Sequence, residues 1–446
     1  MKDNNQAIYD AKTLGTGKML ILGLQHMFAM FGATVLVPAL TGLSVSATLL
    51  FAGLGTLFFH LVTKKKIPAF LGSSFAFLGA YFAFNTPNDA SMIPYASFGV
   101  FCAGLVYVLL AALIKAFGAQ KVMQFFPPIV TGPVIIAIGL TLSGSAIGNC
   151  QTNWLIAAIA IIVTVICNMW GKGMIKIIPI LVGVIVSYLF AGIIGQVDTT
   201  IIKEAAWIGI PVVKDHTVFA LFGNADTSLL ISAIITVVPI SLATIVEHIG
   251  DISAISSTVG KNFVSDPGLH RTLIGDGLAT SFAALFGAPA NTTYGENTGV
   301  LNLTKVYDPF VVRLAAIFAI ILSFSPKFAA LIQAMPAATI GGISLVLYGM
   351  ISAAGVRNIV ENRVDFTNNR NVIIAALILV LAIGIKYGTG SAEAILFHIG
   401  NVAISLSGLA VASIVGILCN AILPGKDYTF SAEEEGDNEK FPNLQV

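Results

Sequence analysis

Glu247 closes a mostly apolar run, residues 231–246, and Glu296 follows Gly295 in a short glycine-bearing stretch. An ionisable side chain at bilayer depth costs roughly 2.5–3.5 kcal/mol even on lenient insertion scales, so both positions are candidates for function. Asp251 lies four residues beyond Glu247, on the same face of a helix. Carboxylates accept N–H groups, while the free N–H groups of a helix start donate to carbonyl oxygens. Together they suit a flat, neutral ligand in which N–H and C=O alternate, and a pyrimidine has that pattern. An inorganic anion suits it badly, because no Arg or Lys accompanies the acids. Phe75 and Tyr294 add ring faces that can stack on a heterocycle. Desolvation favours the neutral form of an acid, which gives proton coupling a carrier: Glu247, with His248 and Asp251 nearby.

These residues recur in order. Gln25-His26 is matched by Glu247-His248, Ser73-Ser74-Phe75 by Thr292-Thr293-Tyr294, and Pro128 by Pro336, at separations of 222, 219 and 208 residues. Repeated halves with interrupted apolar segments point to a secondary transporter. Residues 67–86 and 289–304 are the interrupted segments: short, rich in Gly and hydroxyl groups, each opening on a proline-bearing extended piece. Backbone that is not helical at membrane depth must be covered by protein or line a cavity. The two pieces are therefore expected to pair at the bilayer centre as a two-stranded ribbon, each running into a half-helix aimed at a shared cavity.

The whole chain must supply the spans that hold this centre. Of its 446 residues 56% are apolar and only 10% charged, against about 25% in soluble domains, so it is a polytopic membrane protein. A net charge of +1 without a long basic stretch gives no reason to expect nucleic acid as a partner, and four scattered cysteines suggest neither a disulfide framework nor a zinc site. Full spans are expected near 18–40, 45–63, 93–117, 124–144, 154–169, 174–197, 228–249, 271–288, 309–326, 329–354, 371–388 and 391–423. With the two broken crossings the expectation is an all-α protein of fourteen transmembrane segments, the third and tenth carrying the short antiparallel strands. Residues 1–225 form the first repeat and 226–425 the second, with an acidic, solvated tail at 426–446.

Lys64-Lys65-Lys66, Lys115, Lys121, Lys172 and Lys176 fall on the side of the N-terminus, and the second half repeats the bias with Lys261, Arg271, Lys305, Arg313, Arg357, Arg363 and Arg370. Lys203, Lys214 and Lys327 are outnumbered exceptions. No removable signal peptide is evident. Both termini are expected in the cytoplasm and, seven being odd, the two repeats are inverted.

The stretches Gln25–Thr34, Ile67–Phe77, Glu247–Gly250, Asp266–Arg271 and Asn291–Asn297 make the chain resemble the uracil permeases of the nucleobase/ascorbate transporter family, nearly end to end. The resemblance implies a core domain from 18–117 with 228–326, a gate domain from 124–197 with 329–423, and import of uracil with protons across the cytoplasmic membrane by alternating access. It implies that Glu247 and Glu296 bind ring nitrogens, and that the backbone of Phe75 and Gly295 meets the carbonyl oxygens, with Ser74 and Tyr294 close by. No cofactor is implied beyond the proton, and lipid and a possible homodimer through the gate domain complete the partners. Purine-transporting relatives typically carry Gln where this chain has Glu296, which favours uracil over xanthine or urate. Some uracil permeases have His at the place of Asp251, a departure that bears on the proton path. A channel for small neutral solutes is the reading of another class. An intramembrane enzyme lacks support, since neither H-E-x-x-H nor a P-loop occurs.

Overall fold

The computed structural model describes residues 7–223, 225–390, 393–399, 402–426 and 428. The expected tail at 426–446 thus lies almost wholly outside the described residues.

The chain is predominantly helical. In order come α1 (Thr16–Thr41), α2 (Val45–Val62), β1 (Leu71–Ser73), α3 (Leu78–Ala83), α4 (Ile93–Phe117), α5 (Ala119–Met123), α6 (Pro128–Cys150), α7 (Trp154–Trp170), α8 (Met174–Ile177), α9 (Pro179–Ile193) and α10 (Thr200–Glu204). There follow α11 (Thr227–Val237), α12 (Ile240–Val259), α13 (Leu269–Leu285), β2 (Asn291–Thr293), α14 (Gly295–Thr304), α15 (Pro309–Ser323), α16 (Pro326–Gln333), α17 (Ala337–Glu361), α18 (Asn369–Gly388), β3 (Ala394–Ile399), β4 (Val402–Ser407) and α19 (Gly408–Ile422).

β1 and β2 pair antiparallel, Leu71 opposite Thr293, Gly72 opposite Thr292 and Ser73 opposite Asn291. Two further backbone bonds lengthen the ladder, Ser74 N to Ala290 O at 2.8 Å and Tyr294 N to Phe70 O at 3.0 Å. Its edges are closed from the flanking helices. Thr56 Oγ1 accepts from Leu71 N at 2.9 Å, Thr280 Oγ1 donates to Asn291 O at 2.8 Å, and Asn291 Nδ2 reaches Phe51 O at 3.1 Å. Every residue of both strands is buried. The ribbon can therefore exist away from water because side chains from α2 and α13 satisfy backbone groups the short ladder leaves over.

Around it α1, α2, α4, α13 and α15 pack into one group, while α6, α7, α9, α17, α18 and α19 form another. Each group depends on a glycine contact. A Cβ at Gly104 of α4 would stand 2.5 Å from Gly277 O of α13, and one at Gly355 of α17 would stand 2.7 Å from Gly132 O of α6. In lipid, helices associate chiefly by such close backbone approach, because the tails around them are as apolar as leucine.

Several expected spans take another form. Among the described residues seven helices are long and apolar enough to cross a membrane, or eight when α15 and α16, bent by 89°, count as one. The bend comes where Ser325 caps the α16 N-terminus and Pro326 occupies its first turn. The expected span at 228–249 is instead α11 and α12, which meet at Val238-Pro239 and carry the helix on to Val259. Pro179 likewise separates α8 from α9 within the expected 174–197 span. The largest correction concerns 391–423, expected as one helix. Residues 394–399 and 402–407 pair antiparallel, Ala394 opposite Ser407 through Ile399 opposite Val402, and among the described residues of this stretch Gly408–Ile422 alone is helical. The sequence of β4 alternates Val402, Ile404 and Leu406 with Ala403, Ser405 and Ser407, a period of two that an overall apolar count hides.

Candidate functional site

α12 presents Glu247 and, one turn later, Asp251 towards α14, whose first turn holds Glu296. Tyr294 precedes α14 with extended dihedrals and makes no side-chain cap, and Ser74 stands in the same relation to the short 3-10 turn Phe75–Phe77 that leads into α3. Neither residue caps its helix start with its side chain, although the Glu296 carboxylate accepts from its own backbone N–H in the first turn of α14. α17 closes the opposite wall with Leu347, Met350 and Ile351.

Phe75, Glu247, Asp251, Tyr294, Gly295 and Glu296 all line one cavity of about 520 Å³, inside the roughly 300–1,000 Å³ usual for small-molecule sites. Thr293 Oγ1 donates to Asp251 Oδ2 at 2.8 Å, fastening α12 to β2. Glu247 Oε2 is buried with no hydrogen-bond partner among the described residues. Tyr294 shows the cavity its ring, because its hydroxyl is turned away to donate to Ser73 O at 2.8 Å. Phe75 is held edge-on to Tyr348 of α17, ring centres 5.9 Å apart.

Two of the candidate residues lie elsewhere. Ser74 is buried outside the cavity lining. His248, one residue from Glu247 and so about 100° round the helix, faces α13, where its Nδ1 lies 3.0 Å from Asp276 Oδ2 with both side chains fully buried. Asp276 escaped the sequence reading although the same signal marks it, a lone acid in the run Gly275-Asp276-Gly277 amid small and apolar residues. With Asp276, which stands against His248 outside the cavity lining, the acids of this region number four, against the three that the sequence singled out. Asn297 is a second omission. Its Nδ2 lies 3.1 Å from His26 Nδ1 and donates to His26 O at 3.0 Å, which ties α14 to α1.

The cavity widens past Ala354 and Thr258 to Asn302, Lys176, Arg357 and Glu361. The expectation that no Arg or Lys lines the cavity is overturned, since Lys176 and Arg357 are both in its lining. Arg357 Nε is paired with Glu361 Oε1 at 2.5 Å, an exposed i, i+4 contact.

A multi-pass helical membrane protein whose two short strands meet beside an acid-lined cavity has the architecture of a transporter, and its relatives are permeases rather than enzymes. Residues 17–390 match the family described as Permease family (Xan_ur_permease), and the chain belongs to it. It is 41% identical to the uracil permease of Bacillus caldolyticus, over 95% of this chain and 96% of that one. With the uracil permease of Escherichia coli K12 it shares 39% identity over 89% of each. Among solved structures it is similar in fold to the transmembrane domain of the cyanobacterial bicarbonate transporter BicA, with a TM-score of 0.59, 14% identity, and coverage of 93% of this chain and 99% of that one. It is also similar to the murine Solute Carrier 26 family member A9 anion transporter in the inward-facing state, TM-score 0.59 and 11% identity over 95% of this chain and 73% of that one.

Proposed function

We propose that the chain is a proton-coupled symporter that imports uracil across the cytoplasmic membrane by alternating access. One observation carries the reading: Glu247 and Glu296, from two different helices, share a cavity with the helix starts at Phe75 and Gly295. The acids accept the two ring N–H groups, the backbone N–H groups donate to the two carbonyl oxygens, and Phe75 and Tyr294 bracket the ring. A bicarbonate-like anion would meet three acids here, Glu247, Asp251 and Glu296, so the likeness in fold to anion carriers does not extend to cargo. Glu247 carries the proton, with Asp251 one turn on and His248 behind it against Asp276. Neutral Glu247 receives the base, and loss of its proton to the cytoplasm loosens the grip.

The wider architecture belongs to the same proposal. Fourteen segments form two inverted repeats, 1–225 and 226–425, both termini cytoplasmic. The repeat offset of 219 exchanges the pair Gly72–Thr292 with its neighbour Ser73–Asn291, which supports a pseudo-twofold axis running through the middle of the ribbon. The group around α1, α2, α4, α13 and α15 is the core domain, and the group around α6 and α17 the gate, through which a homodimer would form. The mouth at Lys176 and Arg357 lies on the side of the basic loops, so the cavity is inward-open.

Uptake of radiolabelled uracil into proteoliposomes tests the reading. Wild type should accumulate the base against its gradient, saturably, and lose accumulation when the proton gradient is collapsed. Glu247→Gln and Glu296→Gln should each cut uptake at least tenfold. Non-saturable, purely downhill flux would favour the channel, and preferred uptake of xanthine would reassign the cargo.

A further inference from the structure

Between α9 and α11 the chain leaves the spanning helices for about thirty residues, and the middle of that link is apolar where an aqueous loop would be polar. Trp207, Ile208 and Ile210 are 75%, 83% and 87% exposed. The segment is not loose. Gly209 N donates to Phe324 O at 2.9 Å and Lys327 N to Ala206 O at 2.8 Å, which fixes it against the bend between α15 and α16. Lys327 Nζ donates to Ile202 O at 2.7 Å and Lys203 O at 3.0 Å, and lies 5.3 Å from the centre of the Trp207 ring. Phe324, at the bend itself, is exposed as well.

The three lysines that break the charge bias of the loops, Lys203, Lys214 and Lys327, therefore gather at this one segment. Two flank its apolar residues and the third sits against Trp207. We propose that Trp207, Ile208 and Ile210 are inserted into the headgroup–acyl boundary of the membrane, making the link between the halves an interfacial anchor. Tryptophan beside a cation at the level of span ends is the composition of that boundary. Net electrostatic attraction is not the source, since Asp198, Glu204 and Asp215 balance the lysines; apolar insertion is. A second copy of the chain fits less well. Three side chains on one irregular link fall short of the roughly 800 Å² per partner that stable interfaces bury. Placing the anchor in the leaflet opposite the N-terminus rests on the orientation given above, whereas insertion itself does not depend on transport.

Trp207 is one of three tryptophans, and Trp154 and Trp170 are both exposed on α7. The full chain carrying Trp154→Phe and Trp170→Phe is reconstituted in phosphatidylcholine vesicles, some brominated high on the acyl chain and some near its end. Trp207 emission should be quenched several-fold more by lipid brominated high on the chain than by lipid brominated near its end, and weakly by aqueous acrylamide. Strong acrylamide quenching without bromolipid quenching would overturn the proposal in favour of a water-exposed loop. Protection from both, relieved on diluting protein with lipid, would overturn it in favour of a second copy. Should the double variant fail to fold, a nitroxide at Ile208→Cys reads the same depth by its accessibility to oxygen against an aqueous nickel complex, because the native cysteines are buried or half-buried. Greater accessibility to oxygen supports insertion, and greater accessibility to nickel refutes it. These outcomes leave uracil uptake untouched, so failure here is distinguishable from failure of the proposed function.

Discussion

Thr293, itself in the cavity lining, joins the site to its scaffold. Its hydroxyl donates to Asp251 at 2.8 Å, and its backbone lies opposite Leu71 in the ribbon, so one residue sets both the acid and the strand beside it. Thr293→Val keeps the shape and removes the donor. A buried acceptor left without its partner costs about 1–3 kcal/mol, which should appear as a lower thermal midpoint together with weaker proton dependence of uptake. An unchanged pH profile would mean that Asp251 is a structural acid. Glu247, Asp251 and Glu296 were legible in sequence because a charge in an apolar run stands out whatever its surroundings. Asp276 carries the same mark, but its neighbours are glycines rather than a long greasy stretch, and the reading passed over it. Where Tyr294 sends its hydroxyl, why Ser74 stays outside the cavity and why His248 turns to Asp276 are set by partners some 30 to 220 residues away, which local sequence does not encode.

The elements divide along the same line. The β1–β2 ribbon could be read because a hydroxyl-aromatic triplet recurs at a fixed offset, and β1 and β2 do pair. The β3–β4 pairing and the 89° bend at α16 could not, because each keeps the apolar composition of a span and differs only in periodicity or in one Ser-Pro step. Packing between elements gives a sharper test. A Cβ at Gly104 would stand 2.3 Å from Ser281 Oγ and 2.5 Å from Gly277 O, whereas one at Gly349 of α17 meets nothing within 4 Å. Overpacking of this kind typically costs about 1–3 kcal/mol, while alanine for glycine in an open helix position gains roughly 0.5–1 kcal/mol. Gly104→Ala should therefore lower the thermal midpoint in detergent and Gly349→Ala should hold or raise it. Equal effects would show that α4 and α13 do not meet as closely as the backbone indicates.

For the whole molecule the decisive property is which side the cavity faces. Its walls come from α12 and α14 on one side and α17 on the other, and its mouth passes Thr258, Asn302, Lys176 and Arg357. Under the proposed topology all of these lie at the end where the basic loops collect, which the positive-inside rule makes cytoplasmic. Asn302 is exposed, and among the described residues its side chain makes no hydrogen bond beyond a long 3.5 Å donation to Thr258 Oγ1, so replacing it disturbs little. Asn302→Cys in membrane vesicles should react with an impermeant maleimide at least tenfold faster in inside-out than in right-side-out preparations. Uracil should slow that reaction, because a base held between Glu247 and Glu296 draws α17 towards α12 and narrows the mouth. Faster labelling from the outside would invert the assigned topology, and labelling unaffected by uracil would separate the cavity from the moving part of the transporter. Closure on cargo is also what distinguishes alternating access from a fixed pore, since a channel needs no such change at its mouth.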